Sequence, residues 1–264
     1  MRLLVLLWSL GPLLWQLRTS LLRPEALVAP LLDGNPWTLA NYRLVLSGDP
    51  PFWRYLGNST LVALATTLLT LLLAVPCAYG LQQQRGLLRW GMGLALVTAA
   101  MFPTVLLFLA LLEIARSLGL GNHLLALSLP YAGLSLPLAV LLLRAAFADL
   151  PVELEDAARL EGLGLGQRLR HVLLPLLGPA LASTAILVFL ASWNEYAIAL
   201  SWISRSDLLT LPIAIARIGG GSVFTIPYGA FAAATVLGSL PLLLLMLLAQ
   251  RPIVAGLTRG AVKG

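Results

Sequence analysis

The sequence is poor in the residues from which most catalytic chemistry is built. It has one cysteine, Cys77, so no internal disulfide can form, and that thiol lies inside an apolar run as a small packing residue. It has one lysine, Lys263. The phosphate-binding loop of nucleotide hydrolases needs Gly-Lys-Ser/Thr, so the spaced Gly162, Gly164 and Gly166 do not make one and the chain is no ATPase. It has two histidines, His123 and His171, in different connections, with no second ligand placed to make a metal site with either. The same dispersal argues against a membrane enzyme, which would need His, Asp or Glu clustered at the bilayer surface. Charged residues are 11% of the chain, against about 25% in soluble domains, which excludes water as the solvent for most of its surface.

What is abundant is apolar: 59% of the residues are hydrophobic and the mean hydropathy is +0.91. Six apolar stretches can be drawn, at 3–17, 56–81, 87–112, 124–143, 175–203 and 228–249. A membrane-spanning helix needs about 20 such residues, and backbone amides in lipid must be satisfied within the span, so the stretches predict helices. Pro12, Pro76, Pro103, Pro137 and Pro241 are then kinks or helix ends. The first stretch is short, and with Arg2 it also resembles a signal peptide; no small-x-small cleavage site follows promptly, so it is read as a retained helix.

The net charge of +6 comes from arginines scattered between apolar runs, the pattern of membrane loops and not of a nucleic-acid surface. Alternate connections hold ten Lys and Arg on one side and seven on the other, which places both termini in the cytoplasm. The external side then carries a long, proline-rich first loop at 18–55, with Trp37 and Trp53 suited to the membrane interface. It also carries a loop at 204–227 whose Gly219, Gly220 and Gly221 form a flexible turn. The cytoplasmic side carries the loop 145–174, with five of the eleven acids, and the tail 251–264.

The loop 145–174 is the informative one. Asp149 can cap a helix, Pro151 suits its first turn and Gly162 its end. Leu154, Ala157 and Ala158 share one small apolar face, while Glu153, Glu155, Asp156 and Arg159 occupy the rest, with Glu155 and Arg159 a favourable i,i+4 pair. A short amphipathic helix therefore projects from the membrane. Its face is too narrow for a domain core and suits a partner's groove. Beyond it the chain returns to the bilayer, with Arg168, Arg170 and His171 at the cytoplasmic surface.

Asp156-Ala157-Ala158, Gly162 and then Leu174-Pro175 resemble the EAA loop of the inner-membrane subunits of binding-protein-dependent ABC importers. Asp156 stands where Glu is usual and Glu161 where Asp is common; both keep the charge. Asn58-Ser59 opening the second apolar stretch, Ala78-Tyr79 closing it, the Trp193-Asn194-Glu195-Tyr196 cluster and the ending from Ile253 to Gly264 are similar to the MalG-like branch of carbohydrate permeases. The resemblance runs from about Trp37 onward. It implies an all-α polytopic bundle of about six transmembrane helices, the type I importer permease fold, in a single permease domain over 1–264 of a bacterial inner membrane.

It also implies partners: a second homologous permease forming a heterodimer, two copies of a cytoplasmic ATPase that bind ATP and Mg, and an extracytoplasmic solute-binding protein. This chain itself would hold no cofactor. The segment 153–162, with Leu174 and Pro175, would couple to the ATPase and rock the membrane helices between inward-facing and outward-facing states. The loop at Gly219–Gly221 would meet the binding protein, and the tail, through Gly256, Thr258 and Lys263, would contact the ATPase. The implied solute is a disaccharide such as maltose or trehalose; glycerol phosphate or another polyol is the alternative. A stand-alone secondary transporter would carry more intramembrane charge for ion coupling and would need no docking helix.

Two features have competing readings. Glu195 is the only acid well inside an apolar stretch, and such a carboxylate marks a pathway or gate, a role the resemblance extends to Trp193, Asn194 and Tyr196 beside it. The plainer reading puts it near the external end, bonded structurally to Asn194 or Ser192. Asn58-Ser59-Thr60 is also a glycosylation sequon, a short match that a bacterial transporter would leave unused.

Overall fold

In a solvent that offers no hydrogen bonds, apolar chain must close its backbone bonds within itself, and a computed structural model shows how this one does so. It describes the backbone of residues 2–28, 36–219 and 227–259. The helices are α1 (Arg2–Ser20), α2 (Pro24–Val28), α3 (Ala40–Leu46), α4 (Phe52–Gln83), α5 (Gly86–Ala100), α6 (Phe108–Ser117) and α7 (Ser128–Ala148). They continue with α8 (Val152–Leu160), α9 (Leu165–Gln167), α10 (Leu174–Leu176), α11 (Gly178–Trp193), α12 (Ala197–Trp202), α13 (Leu211–Gly219) and α14 (Tyr228–Arg259). Among the described residues the one β-pairing is an isolated antiparallel bridge between Leu22 and Trp37.

Among the described residues three helices are long and apolar enough to cross a membrane: Phe52–Gln83, Leu124–Ala148 (α7 with its 3-10 lead-in) and Tyr228–Leu247. Leu165–Leu176 with Gly178–Trp193 passes the same test as a pair bent by 83°. The remaining two of the six expected stretches are α1, a 19-residue helix around Pro12, and the region 87–112. That region is not one helix. Pro103 has no N–H to give and disfavours helix in the residue before it. The chain leaves α5 at Ala100 and resumes through a 3-10 turn, Thr104–Leu107, into α6.

The stretch 175–203 is likewise broken, at Leu177 and again at 194–196. Gly178-Pro179 supplies the reason for the first break, since proline is welcome in a helix's first turn and disruptive further in. The two loops expected on the external side also hold more structure than their composition suggests: α2 and α3 lie in the first and α13 in the last.

The helices group into two compact units, each assembled from separated parts of the chain. One comprises Met1–Thr60 with Glu195–Leu244, the other Leu61–Asn194 with Leu245–Gly264. The first buries Phe52, Trp202, Ile203, Leu209, Leu211 and Ile213. Within it Gly238 permits close packing, because a Cβ there would come within 2.9 Å of Leu211 Cδ2. The second packs Ala74, Ala78 and Tyr79 of α4 against Ala139, Val140, Leu143 and Phe147 of α7, with Leu173, Leu177 and Val188 completing the cluster. Lipid tails are as apolar as leucine, so contact between membrane helices comes from close approach, and alanines spaced four apart provide it.

Candidate functional site

The candidate site is built on the connection between α7 and α11, within the second unit. α7 ends at Ala148, with Asp149 as its C-terminal flank, and α8 begins at Val152 with Pro151 in the capping position. Pro151, not Asp149, is the residue in the capping position, and it precedes the first turn instead of occupying it. The far end is closed as its glycine predicts. Gly162 has φ +78°, Gly162 N–H donates to Arg159 O at 3.0 Å and Leu163 N–H donates to Ala158 O at 3.1 Å. These are the two bonds of a Schellman stop, which needs a left-handed residue and therefore favours glycine.

The apolar face divides differently from the expected Leu154-Ala157-Ala158 stripe. Ala158 is buried against its own chain, while Leu154 and Ala157 point outward. Leu160, in the last turn, is 90% exposed. Glu153, Asp156, Glu161 and Gly162 are exposed as well. α8 thus uses Glu155 and Ala158, three residues apart, to hold itself in place and leaves the rest of its surface open.

Glu155 is the anchor. Tyr79 Oη donates to its Oε1 at 2.6 Å, and Gln83 Nε2 donates to Oε2 at 3.0 Å and to Oε1 at 3.2 Å. Arg159 donates to Oε1 at 2.7 Å, the i,i+4 pair expected from the sequence, and Arg168 Nη1 lies 3.4 Å from the same oxygen. Burial by itself pushes this carboxyl up, but the hydrogen bonds from Tyr79, Arg159 and Gln83 and the Arg159 charge prevail and hold it below the ordinary glutamate range. Arg168, expected at the surface, is only 13% exposed, because it turns inward to this carboxylate. Neither Tyr79 and Gln83, 76 and 72 residues away, nor the inward Arg168 was visible as a partner in the sequence.

After α9 the chain widens into a π-turn, Arg168–Leu173, which packs against α8. Leu174 and Pro175 follow in α10, immediately before the 83° bend into α11.

The Trp193–Tyr196 cluster falls at the break after α11. Trp193 is buried and stacks on Phe189 with ring centroids 5.6 Å apart. Asn194 Nδ2 donates to Leu190 O at 2.8 Å, and the Ser192 hydroxyl donates to Thr66 Oγ1 at 3.2 Å. The Glu195 carboxylate accepts the N–H groups of Ile198 at 2.8 Å and Ala199 at 3.1 Å, which fixes it at the start of α12. Negative charge at a helix N-terminus is favourable. Tyr196 is exposed.

At the other end of α4, in the first unit, Asn58-Ser59 straps a loop. Asn58 Nδ2 donates to the carbonyls of Asp207 at 3.1 Å and Leu209 at 2.9 Å, and Ser59 Oγ accepts Leu211 N–H at 2.8 Å. The sequon's amide is therefore committed to structure. Asp207 also pairs with Arg205 at 2.8 Å and Arg54 at 3.4 Å. The Arg205 hydrogen bonds hold its carboxyl below the usual aspartate range.

Gly219 is the last residue of α13, and Gly256 and Thr258 lie on the last turns of α14, described there by backbone alone. Gly220, Gly221 and Lys263 lie outside the described residues.

A helix bundle with a Gly-stopped helix held outside its apolar spans is the form of a transporter's membrane subunit, and comparison with known proteins names the family. The chain belongs to the binding-protein-dependent transport system inner membrane component family, whose pattern matches residues 70–259. It is a multi-pass membrane protein and a permease subunit, not an enzyme. It is 38% identical over 262 residues to the trehalose transport system permease protein SugB of Mycobacterium tuberculosis, covering 99% of this chain and 95% of that one. It is 37% identical to the sulfoquinovosyl glycerol transport system permease protein SmoH of Agrobacterium fabrum, covering 99% and 91%. It is also 37% identical to the trehalose/maltose transport system permease protein MalG of Thermococcus litoralis, covering 97% and 92%. A chain in the crystal structure of a bacterial ABC transporter involved in the import of the acidic polysaccharide alginate superposes with a TM-score of 0.76 at 21% identity, covering 94% of this chain and 92% of that one, and shares its fold.

Proposed function

We propose that this chain forms half of the translocation pathway of an ATP-driven disaccharide importer and is driven by a separate cytoplasmic ATPase through α8. The observation that carries the reading is the division of labour on α8. Glu155 and Ala158 fasten it from within, while Leu154, Ala157 and Leu160 are left open for a partner's groove. The exposed acids Glu153, Asp156 and Glu161 rim that surface, and Leu174 and Pro175 sit at the bend that takes the chain back to the membrane.

The remaining parts take their places around this. A second, homologous permease supplies the other half of the pathway, two ATPase copies bind ATP and Mg, and an extracytoplasmic binding protein delivers solute. Both termini face the cytoplasm on the basic bias of the connections. Asn194, Glu195 and Tyr196 line or gate the path, with buried Trp193 as their support. Gly219–Gly221 meets the binding protein, and Gly256, Thr258 and Lys263 meet the ATPase.

Trehalose or maltose is the preferred solute, after the SugB and MalG relatives. The nearly equal identity to SmoH favours a second reading, a glycosyl glycerol. Titrating both classes against the cognate binding protein decides between them.

The coupling role is tested by purifying the tagged chain with its partners and comparing wild type, Asp156→Arg and Gly162→Val. Wild type should retain the ATPase, and Asp156→Arg should lose most of it. Gly162→Val places a β-branched residue at φ +78° and costs about 1–2 kcal/mol locally. It should hydrolyse ATP without solute uptake. Full uptake by Gly162→Val, or unchanged ATPase recovery with Asp156→Arg, overturns the reading, and ion-driven uptake by the chain alone replaces it.

A further inference from the structure

The peripheral helix α5 carries a feature that coupling does not use. None of its residues is buried, and Leu87, Leu88, Trp90 and Leu94 are among its most exposed side chains. Across from it on α7 stands Arg144, four residues before that helix ends. A Cβ built on Gly93 would meet Arg144 Nη1 at 3.2 Å, so the guanidinium lies directly on α5, in the place a side chain would otherwise take. Arg89 is one turn earlier on the same face of α5, with Nη2 reaching Gln82 Oε1 at 3.5 Å. Among the described residues no carboxylate pairs with Arg85, Arg89 or Arg144. Both Arg89 and Arg144 are only partly exposed.

Between the same two helices runs an open groove of about 700 Å³, lined by Gly91, Ala95, Thr98, Phe102, Gly133 and Pro137 among others. Its walls are mostly apolar, and its volume is within the range of about 300–1,000 Å³ that small-molecule sites occupy. Half-buried guanidinium groups on membrane helices need a counter-charge, and Arg is suited to phosphate because its fork binds two oxygens at once. A tryptophan beside them suits the headgroup level of the bilayer.

We propose that α5 and α7 form a site for an anionic phospholipid, with the phosphate held by Arg144 and Arg89 and an acyl chain lying in the groove. The occupant is read from complementarity: a positive end and an apolar channel on two neighbouring helices match an ionic head and a hydrocarbon tail. The site belongs to the leaflet on the α8 side, because α7 leads from Arg144 directly into the turn before α8. The lipid would brace the two helices whose contact otherwise leaves the groove open.

The test is native mass spectrometry of the delipidated, assembled importer in neutral detergent, titrated with phosphatidylglycerol, phosphatidylcholine or inorganic phosphate. Wild type should retain phosphatidylglycerol in preference to phosphatidylcholine, and that preference should fall about fivefold for each arginine changed in Arg89→Gln and Arg144→Gln. Gly93→Leu keeps every charge but occupies the guanidinium's place, so it should weaken retention in a complex whose size-exclusion profile is unchanged. Equal retention of the two lipids by wild type, or undiminished preference in Gly93→Leu and the double arginine variant, overturns the proposal. So does phosphate binding with no lipid preference, which would make the site one for a free anion.

Discussion

The first and last turns of α4 are both tied to other segments, but by different chemistry. The first turns, in one unit, use a side-chain amide and a hydroxyl on backbone groups: Asn58 on two carbonyls and Ser59 on one N–H. The last turns, in the other unit, use a hydroxyl and an amide on a single carboxylate that also faces two arginines. Neutral bonds to backbone fix a position and respond little to pH or salt. A charged hub is stronger per bond and can be switched off by one proton. The contrast places the titratable fastening where α8 is held and the insensitive one where the 205–211 loop is held.

The largest effect should come from breaking the charged hub. Glu155→Ala removes the carboxylate and leaves Arg168, 13% exposed, without its anion. Losing one member of a fully buried pair costs about 3–5 kcal/mol, and this partly buried one should cost less than that. Thermal unfolding of the purified complex should drop clearly, with loss of ATPase recovery. The pH dependence has a definite sign. The Glu155 carboxyl is held below its ordinary range when folded, so its stabilisation is fully present above the ordinary value. It fades as pH falls through the depressed one. A melting curve that is flat near neutrality and falls only in acid is expected for wild type, and a flatter acid limb for Glu155→Gln.

Next in size is the neutral fastening. Asn58→Ala strands the carbonyls of Asp207 and Leu209, and Ser59→Ala leaves the Leu211 N–H beside a buried methyl; each should cost about 1–3 kcal/mol. Neither shift should vary between pH 4 and pH 8. An Asn58→Ala penalty that tracked pH as the Glu155 penalty does would erase the distinction.

Much of this was legible in the sequence, for reasons that can be stated. The end of α8 follows from Gly162, and the Glu155–Arg159 pair from helical spacing, because both are local. Pro103 gave a place where a helix would kink or end, though the apolar run around it read as continuous. The partition of α8's apolar face was not legible, since it depends on what packs against it; the Leu177 bend has a local cause in Gly178-Pro179, which the apolar run around it concealed. Tyr79 could be noted as closing an apolar stretch, with Gln83 just beyond it, but their target lies more than 70 residues on and periodicity carries no such information. Likewise Asn58-Ser59 was visible as a motif, while the carbonyls it serves were not.

The smallest effect tests whether charge at the first turns of α4 adds anything to the neutral strap. Arg54 reaches both Asp207 O at 3.0 Å and Asp207 Oδ2 at 3.4 Å, yet its side chain is 49% exposed, and Asp207 already has Arg205 at 2.8 Å. Exposed ion pairs are worth about 0–1 kcal/mol and are screened by salt. Arg54→Ala should therefore shift the melting temperature barely at low ionic strength and not at all in molar salt, whereas Asn58→Ala should cost the same in both. If Arg54→Ala proved as damaging as Asn58→Ala, and its cost faded with salt, the Asn58 end of α4 would be an electrostatic fastening like the other. The two ends would then differ only in which residue carries the charge.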